Sequence, residues 1–237
     1  MDIAGVRLVL ASASPRRREL LGLLGAHYET IASDAEDRDD PVPEAVLAAL
    51  PPLDLPRETH PSLLAWRKAS HAAALAPGAT ILGADTIVVL GTEVLNKPRD
   101  PAHARQMLAG LSGRTHTVYT GMCVIAPANG DHLPSVSLDL VASEVEVAPL
   151  SDQTIADYVA TGEPLDKAGA YGIQGLGGSL VRSVRGSYTA VVGLPLVQAH
   201  RMLSAAGVVG LDNPEHTYRR WLEQQGKEPL PWPQTLP

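Results

Sequence analysis

An aspartate stands in the middle of a segment that otherwise has every property of a buried β-strand. Ile81-Leu82-Gly83-Ala84 precedes Asp85, and Thr86-Ile87-Val88-Val89 follows it. A short apolar run of this kind reads as a strand covered on both faces. An ionised carboxylate placed there costs several kcal/mol unless it is paired or bound to a metal. Either Asp85 holds a cation or acts as a base on water, or it marks a bulge or sheet edge that opens to solvent. Function is the favoured reading, because chains rarely carry such a group without a use for it.

Around this strand, apolar runs alternate with segments that carry helix signals. Val6 to Ala11 reads as a strand. Ser14 is an N-cap with Pro15 at the first helical position, Leu20, Leu21, Leu23 and Leu24 form an apolar stripe, and Gly25 is a stop. Helices are expected over Leu63–Leu75, Pro101–Leu111, Ser151–Val159 and from Pro195 to near Gly207. Further strands are expected over Thr80–Leu90, with a hairpin return through Glu93–Lys97, and over Thr115–Ala126 and Val141–Val147. Two more are placed around Leu180–Val184 and Tyr188–Val192. Helices between strands together with a hairpin predict an α/β or α+β chain with a mixed sheet.

Two stretches stand apart. Residues 34–61 are acidic and proline-rich and predict a mobile surface excursion with one short helix near Ala45–Leu50. After Gly210 a helix is expected over Glu215–Gln225, ahead of a proline-rich ending unsuited to regular structure. The domain is therefore drawn over residues 1–210, with 211–237 as a partly disordered extension.

Composition narrows the function classes. Apolar residues make up 45% of the 237, yet Phe is absent and aromatics reach only 4%, so Leu, Val, Ile and Ala must fill the core. A formal charge of −7 argues against a general nucleic-acid binder, which needs a basic face for phosphates. The single cysteine, Cys123, excludes an intrachain disulfide, and its strand-like surroundings predict a buried, inert thiol. No run approaches the roughly 20 apolar residues of a membrane span. The N-terminus lacks a signal-peptide core, so a cytoplasmic protein without membrane partners is expected.

Arg16-Arg17-Arg18 occupy the first turn of the helix after Ser14, where the helix dipole is already positive. Such a cluster makes sense where an anion docks on the helix N-terminus, with Ser12 and Ser14 adding hydroxyl donors. A solvated basic patch with a capping serine accounts for the same residues. Lys97 follows the return from the Asp85 strand, and Pro98 fixes the chain after it, so its ammonium could be held close to Asp85. Lys68, Lys167 and Gln174 are ordinary residues by themselves. Glycines flank Ile173-Gln174 and would let backbone approach a ligand. The eight histidines show no metal spacing, and P-loop, dinucleotide and Ser-His-Asp patterns are missing.

Taken in order, the unusual segments resemble the Maf family of nucleotide pyrophosphatases. The resemblance rests on Leu10-Ala11-Ser12-Ala13-Ser14-Pro15-Arg16-Arg17 with Glu19-Leu20-Leu21, and on Gly83-Ala84-Asp85-Thr86-Ile87-Val88 with Lys97-Pro98. Leu111-Ser112-Gly113 with His116 and Thr120 continues it. Glu163-Pro164 and Asp166 through Gly175 form the next block, and Val192-Gly193-Leu194-Pro195-Leu196 closes the set. It covers roughly residues 6–207.

The resemblance implies an α/β fold with a mixed, strongly bent sheet and two lobes around a central cleft, similar in architecture to the inosine triphosphate pyrophosphatases. It implies metal-dependent cleavage of the α–β phosphoanhydride of a nucleoside triphosphate with Mg²⁺ or Mn²⁺. On that template Ser12, Arg16, Lys68 and Lys97 bind the triphosphate, and Asp85 holds metal and activates water. Arg16-Arg17, Thr86 and Gln174 match the branch acting on dTTP and UTP; Lys167 lies in the same block as Gln174. A homodimer is common in the family.

Two departures are visible. The family usually has a glutamate as metal ligand where this chain has Asp37, so either Asp37 reaches the ion or Glu36 substitutes. The stretch between Asp37 and Lys68 is also longer than usual. Two alternatives stand beside the leading reading: a non-catalytic nucleotide-binding regulator of cell division or septum formation, and the same reaction on modified or 7-methylguanine nucleotides.

Overall fold

In the computed structural model, which describes residues 6–33, 41–128 and 134–224, strand β1 (Leu8–Ala11) lies buried along its whole length. It pairs in parallel with β2 (Glu29–Thr30) on one side and β3 (Thr80–Leu90) on the other. The return strand β4 (Glu93–Leu95) folds back antiparallel on β3, with Val88 opposite Leu95. Strands β5 (Thr115–Ala126), β6 (Ser135–Val147) and β7 (Val181–Arg185) complete a seven-stranded mixed sheet of order β2-β1-β3-β5-β6-β7. The expected mixed sheet flanked by helices is therefore present, and it is not closed into a barrel.

The described residues divide into two compact units: 6–85, 120–140 and 193–224 in the first, and 86–119 with 141–192 in the second. In the first unit, α1 (Pro15–Leu23) starts as its sequence demands. Ser14 Oγ accepts from Arg17 N at 3.4 Å, Pro15 stands in the first turn, and Gly25 follows at positive φ. Helix α3 (Pro61–Leu75) is capped by the His60 side chain, whose Nδ1 accepts from Ser62 N at 3.1 Å. Its small residues Ala65, Ala69 and Ala72 pack with Val9, Ile81 and Cys123 in a cluster free of phenylalanine. Val46, from the short helix α2 (Glu44–Ala48), is buried in the same cluster. The proline-rich stretch is thus anchored over its described part. Helix α7 (Leu196–Ala205) packs on α1, and both pack on α8 (Pro214–Gln224).

Helix α8 is no loose end over its described residues. Tyr218, Trp221 and Leu222 are buried, and Trp221 Nε1 donates to Glu19 Oε1 at 2.7 Å. The proline-rich ending lies outside the described residues.

The second unit holds α4 (Pro101–Leu111) against α5 (Asp152–Ala160). Ser151 caps α5, as expected, by accepting from Thr154 N at 3.1 Å. One expectation is overturned: Tyr188–Val192 is not a strand but a short helix, α6. A five-residue run of largely apolar and β-branched side chains does not distinguish the two states. Ser187 decides it by accepting from Ala190 N at 3.1 Å, an N-cap bond that a strand would not offer. Strand β6 also begins earlier than Val141, because Ser135–Leu140 continue the ladder with exposed or half-exposed side chains.

Candidate active site

Strand register sets the first part of the site. Ala11, the last residue of β1, lies opposite Gly83 of β3. The chain leaves β1 into Ser12–Ser14 and then α1, just where β3 continues to Asp85. In open α/β sheets the carboxyl ends of parallel strands are where ligands bind. Ser12 is buried; its Oγ accepts from Ser14 N at 3.2 Å and from Arg17 Nη1 at 3.4 Å. Arg17 Nε donates to Gly193 O at 2.9 Å, which ties the guanidinium to the residues preceding α7. No acidic residue stands in the first turn of α1, where Arg16, Arg17 and Arg18 sit at the positive end of the helix dipole. Burial pushes the Arg17 guanidinium below its ordinary value. Asp85 opposes that shift by its charge, and Arg16 adds to it.

Helix α3 supplies the partner of Asp85. Gly83 and Gly121 let the helix lie almost on the sheet. A methyl group on Gly83 would overlap Ala65 O, and one on Gly121 would overlap the backbone of Pro61 and Ser62. At that separation Lys68 reaches the sheet, and its Nζ donates to Asp85 Oδ1 at 2.7 Å. Lys68 is 8% and Asp85 14% exposed in their side chains. The buried-carboxylate anomaly in the sequence thus resolves as an ion pair beside the Ser12–Arg17 anchor. Lys68 is itself a second buried charge that its helical context gave little reason to single out. One turn further along α3, His71 Nδ1 lies 3.0 Å from Ser33 Oγ.

Thr86 is half-buried on β3 at the start of the second unit, and Lys97 is exposed two residues past β4. Lys167 Nζ donates to Glu163 O at 2.7 Å and to Asp166 Oδ1 at 2.6 Å. Gln174 is half-buried in the glycine-rich turn. Glu36 and Asp37 lie outside the described residues. Among the described residues no group of three or more His, Cys, Asp or Glu could hold a metal. Asp85 by itself offers the hard oxygen donor that Mg²⁺ takes. That ion is commonly bound by one or two carboxylates together with substrate phosphates, so the donor chemistry fits.

Residue-by-residue reading gave no role to Glu163 and Tyr158, although Glu163 heads one of the recognisable blocks. Glu163 Oε1 accepts from Tyr158 Oη at 2.9 Å and Gly177 N at 3.2 Å, while Oε2 accepts from Leu176 N at 3.0 Å. Desolvation would raise the Glu163 carboxyl, but the two backbone N–H groups, the Tyr158 hydroxyl and Lys167 outweigh it and hold it below the usual range. Tyr158 Oη in turn accepts from Gly172 N at 3.0 Å. His116 Nε2 lies 2.8 Å from Tyr171 Oη, and burial pushes the imidazole down to about 4. Burial pushes the Cys123 thiol up, as an inert cysteine requires.

A mixed-sheet α/β chain that aims a cationic helix start and a lysine–carboxylate pair at one strand end has the parts of a polyphosphate-handling protein. Comparison of sequences narrows the class: the profile of the family described as Maf-like protein matches residues 7–206, and the chain belongs to that family. It is 50% identical over 202 residues to the dTTP/UTP pyrophosphatase of Anaeromyxobacter dehalogenans (strain 2CP-C), covering 85% of this chain and 94% of the relative. It is 49% identical over 199 residues to the proteins of the same name from Shigella dysenteriae serotype 1 (strain Sd197) and Escherichia coli O157:H7, covering 83% of this chain and 91% of each relative. No helix among the described residues is long and apolar enough to cross a membrane.

Proposed function

We propose that this chain is a nucleoside triphosphate pyrophosphatase that hydrolyses dTTP or UTP to the monophosphate and pyrophosphate. The observation that carries the reading is the buried Lys68–Asp85 pair, set at the strand end from which the Ser12–Arg17 anchor departs. The relatives' shared name supports the same reaction and the pyrimidine substrate.

Water attacks phosphorus in line, the α–β anhydride breaks, and pyrophosphate leaves. Such a reaction gains most from positioning and charge neutralisation. Ser12, Arg16, Arg17 and Lys68 bind the triphosphate, and Lys97 adds a further cation. Asp85 takes the proton of the attacking water. A divalent ion, Mg²⁺ or Mn²⁺, would be held by Asp85 with Asp37 or Glu36, and it supplies neutralisation of the phosphate oxygens when bound. Lys167 adds its charge to substrate binding, while Thr86 and Gln174 meet the base. A glutamine amide presents both a donor and an acceptor, which matches the N3–H and O4 edge shared by uracil and thymine.

Purified protein with Mg²⁺ or Mn²⁺ should release pyrophosphate from dTTP and UTP ahead of other triphosphates in a panel. Asp85→Asn should lower turnover by roughly 10²–10⁴-fold, as loss of a positioned base does. Tight nucleotide binding without product would instead support the regulator, and product from purine or methylated nucleotides would redraw the substrate class. An undiminished rate in Asp85→Asn would remove Asp85 from the mechanism.

A further inference from the structure

The turn that carries Gln174 is held from beneath at both ends, and the groups that hold it have no part in the chemistry above. On one side Gly172 N donates to Tyr158 Oη at 3.0 Å. On the other, Leu176 N and Gly177 N donate to the Glu163 carboxylate at 3.0 and 3.2 Å. Tyr158 Oη donates to the same carboxylate at 2.9 Å, which joins the two ends into one network. Between them Ile173 is buried, and its carbonyl accepts from Tyr188 Oη at 3.2 Å. The residues on both sides of Gln174 are therefore fixed through backbone groups.

The glycines serve this contact. An added Cβ on Gly175 would lie 2.5 Å from Glu163 Oε2, one on Gly172 2.6 Å from Lys167 Cε, and one on Gly177 2.5 Å from Tyr158 Oη. None of the three sits at positive φ. They are glycine because the backbone rests directly on Glu163, Lys167 and Tyr158, not because the turn needs a left-handed residue. The close approach that the glycines permit is made to the protein itself.

We propose that Glu163 is a positioning residue for nucleobase selection, holding the 172–177 turn in the one shape that presents Gln174 to the base. This rests on the reading of Gln174 as a base-facing residue. A glutamine amide can turn over, and in its two orientations it matches the opposed hydrogen-bonding edges of uracil and cytosine equally well. Selection therefore requires the surroundings to fix both where the amide sits and which way it faces, and a fixed backbone on either side is the first condition. The carboxylate suits that task, since charge-assisted bonds to N–H groups are stronger than neutral ones.

The test is steady-state hydrolysis of UTP and CTP by wild type, Glu163→Gln and Tyr158→Phe, with thermal unfolding recorded for each. Glu163→Gln replaces a double acceptor with a group that turns a donor toward backbone donors. It should lower the UTP-to-CTP ratio of kcat/KM at least about tenfold, the scale of one lost charge-assisted bond. The change should lie mainly in KM for UTP, with CTP turnover little altered. Tyr158→Phe, which cuts the link between the two ends, should shift the ratio in the same direction, and it carries the test should Glu163→Gln fail to fold. An unchanged ratio in a folded variant, or an equal loss on both nucleotides, overturns the proposal. Wild type without pyrophosphate release from either nucleotide would instead overturn the enzymatic reading beneath it.

Discussion

Lys68 and Asp85 answer each other's charge in a place where neither would be tolerated by itself. With both side chains largely out of water, removing one partner strands the other, and the penalty for that exceeds what the intact pair contributes. Asp85→Asn should therefore cost about 3 kcal/mol of unfolding free energy in addition to its loss of turnover. Adding Lys68→Met should restore stability to within about 1 kcal/mol of wild type, since methionine fills similar space without a charge, and it should restore no activity. Denaturant unfolding and pyrophosphate release, run on the same three variants, separate the two effects. A double variant as unstable as Asp85→Asn would show that something other than the stranded ammonium sets the loss.

The seam between α3 and the sheet makes that pairing possible, and it depends on the absence of two methyl groups. Gly121 faces the backbone at the start of α3, where neither a rotamer change nor a side-chain shift makes room. Gly121→Ala should cost about 3 kcal/mol or more, at the upper end of overpacking penalties. It should also lower activity by lifting Lys68 away from Asp85, and a melting curve with a pyrophosphate assay checks both. Elements with strong local punctuation are legible in the sequence: Ser14-Pro15 at α1, Ser151 at α5, and the long run of β3. At Tyr188–Val192 the largely apolar run misled, because the cap that Ser187 supplies to α6 shows only in the structure. The depth of α3 had no local signal, because Gly83 and Gly121 acquire their meaning only from a helix distant in sequence. The grip of Glu163 on the glycine-rich turn was hidden for the same reason.

Across the whole molecule, the candidate site was legible wherever a residue conflicted with its own neighbours. Asp85 and the three arginines of α1 stood out on that ground, whereas Lys68, Lys167 and Gln174 took their significance from the family resemblance. Stability as a function of pH is another property of the entire chain, and His116 contributes a definite part. Buried beside Tyr171, it stays neutral down to about 4, while in the unfolded chain it protonates near 6.5. Between those values the unfolded state binds a proton that the folded state refuses, so this contribution is complete above pH 6.5 and is lost as pH falls toward 4. A shift of that size corresponds to roughly 3 kcal/mol. The unfolding midpoint of wild type should fall across this window, and His116→Gln should fall less steeply. Parallel slopes would assign the acid sensitivity to other groups.

The lone thiol on β5 closes a practical circle. Cys123 has no exposed surface and no other cysteine to pair with, so a thiol reagent can reach it only when the cluster around α3 opens. The protein thus carries its own single-hit clock. The rate at which that sulfur is labelled, with and without nucleotide, would time the breathing of the layer on which Lys68 is mounted, with no tag or dye engineered into the chain.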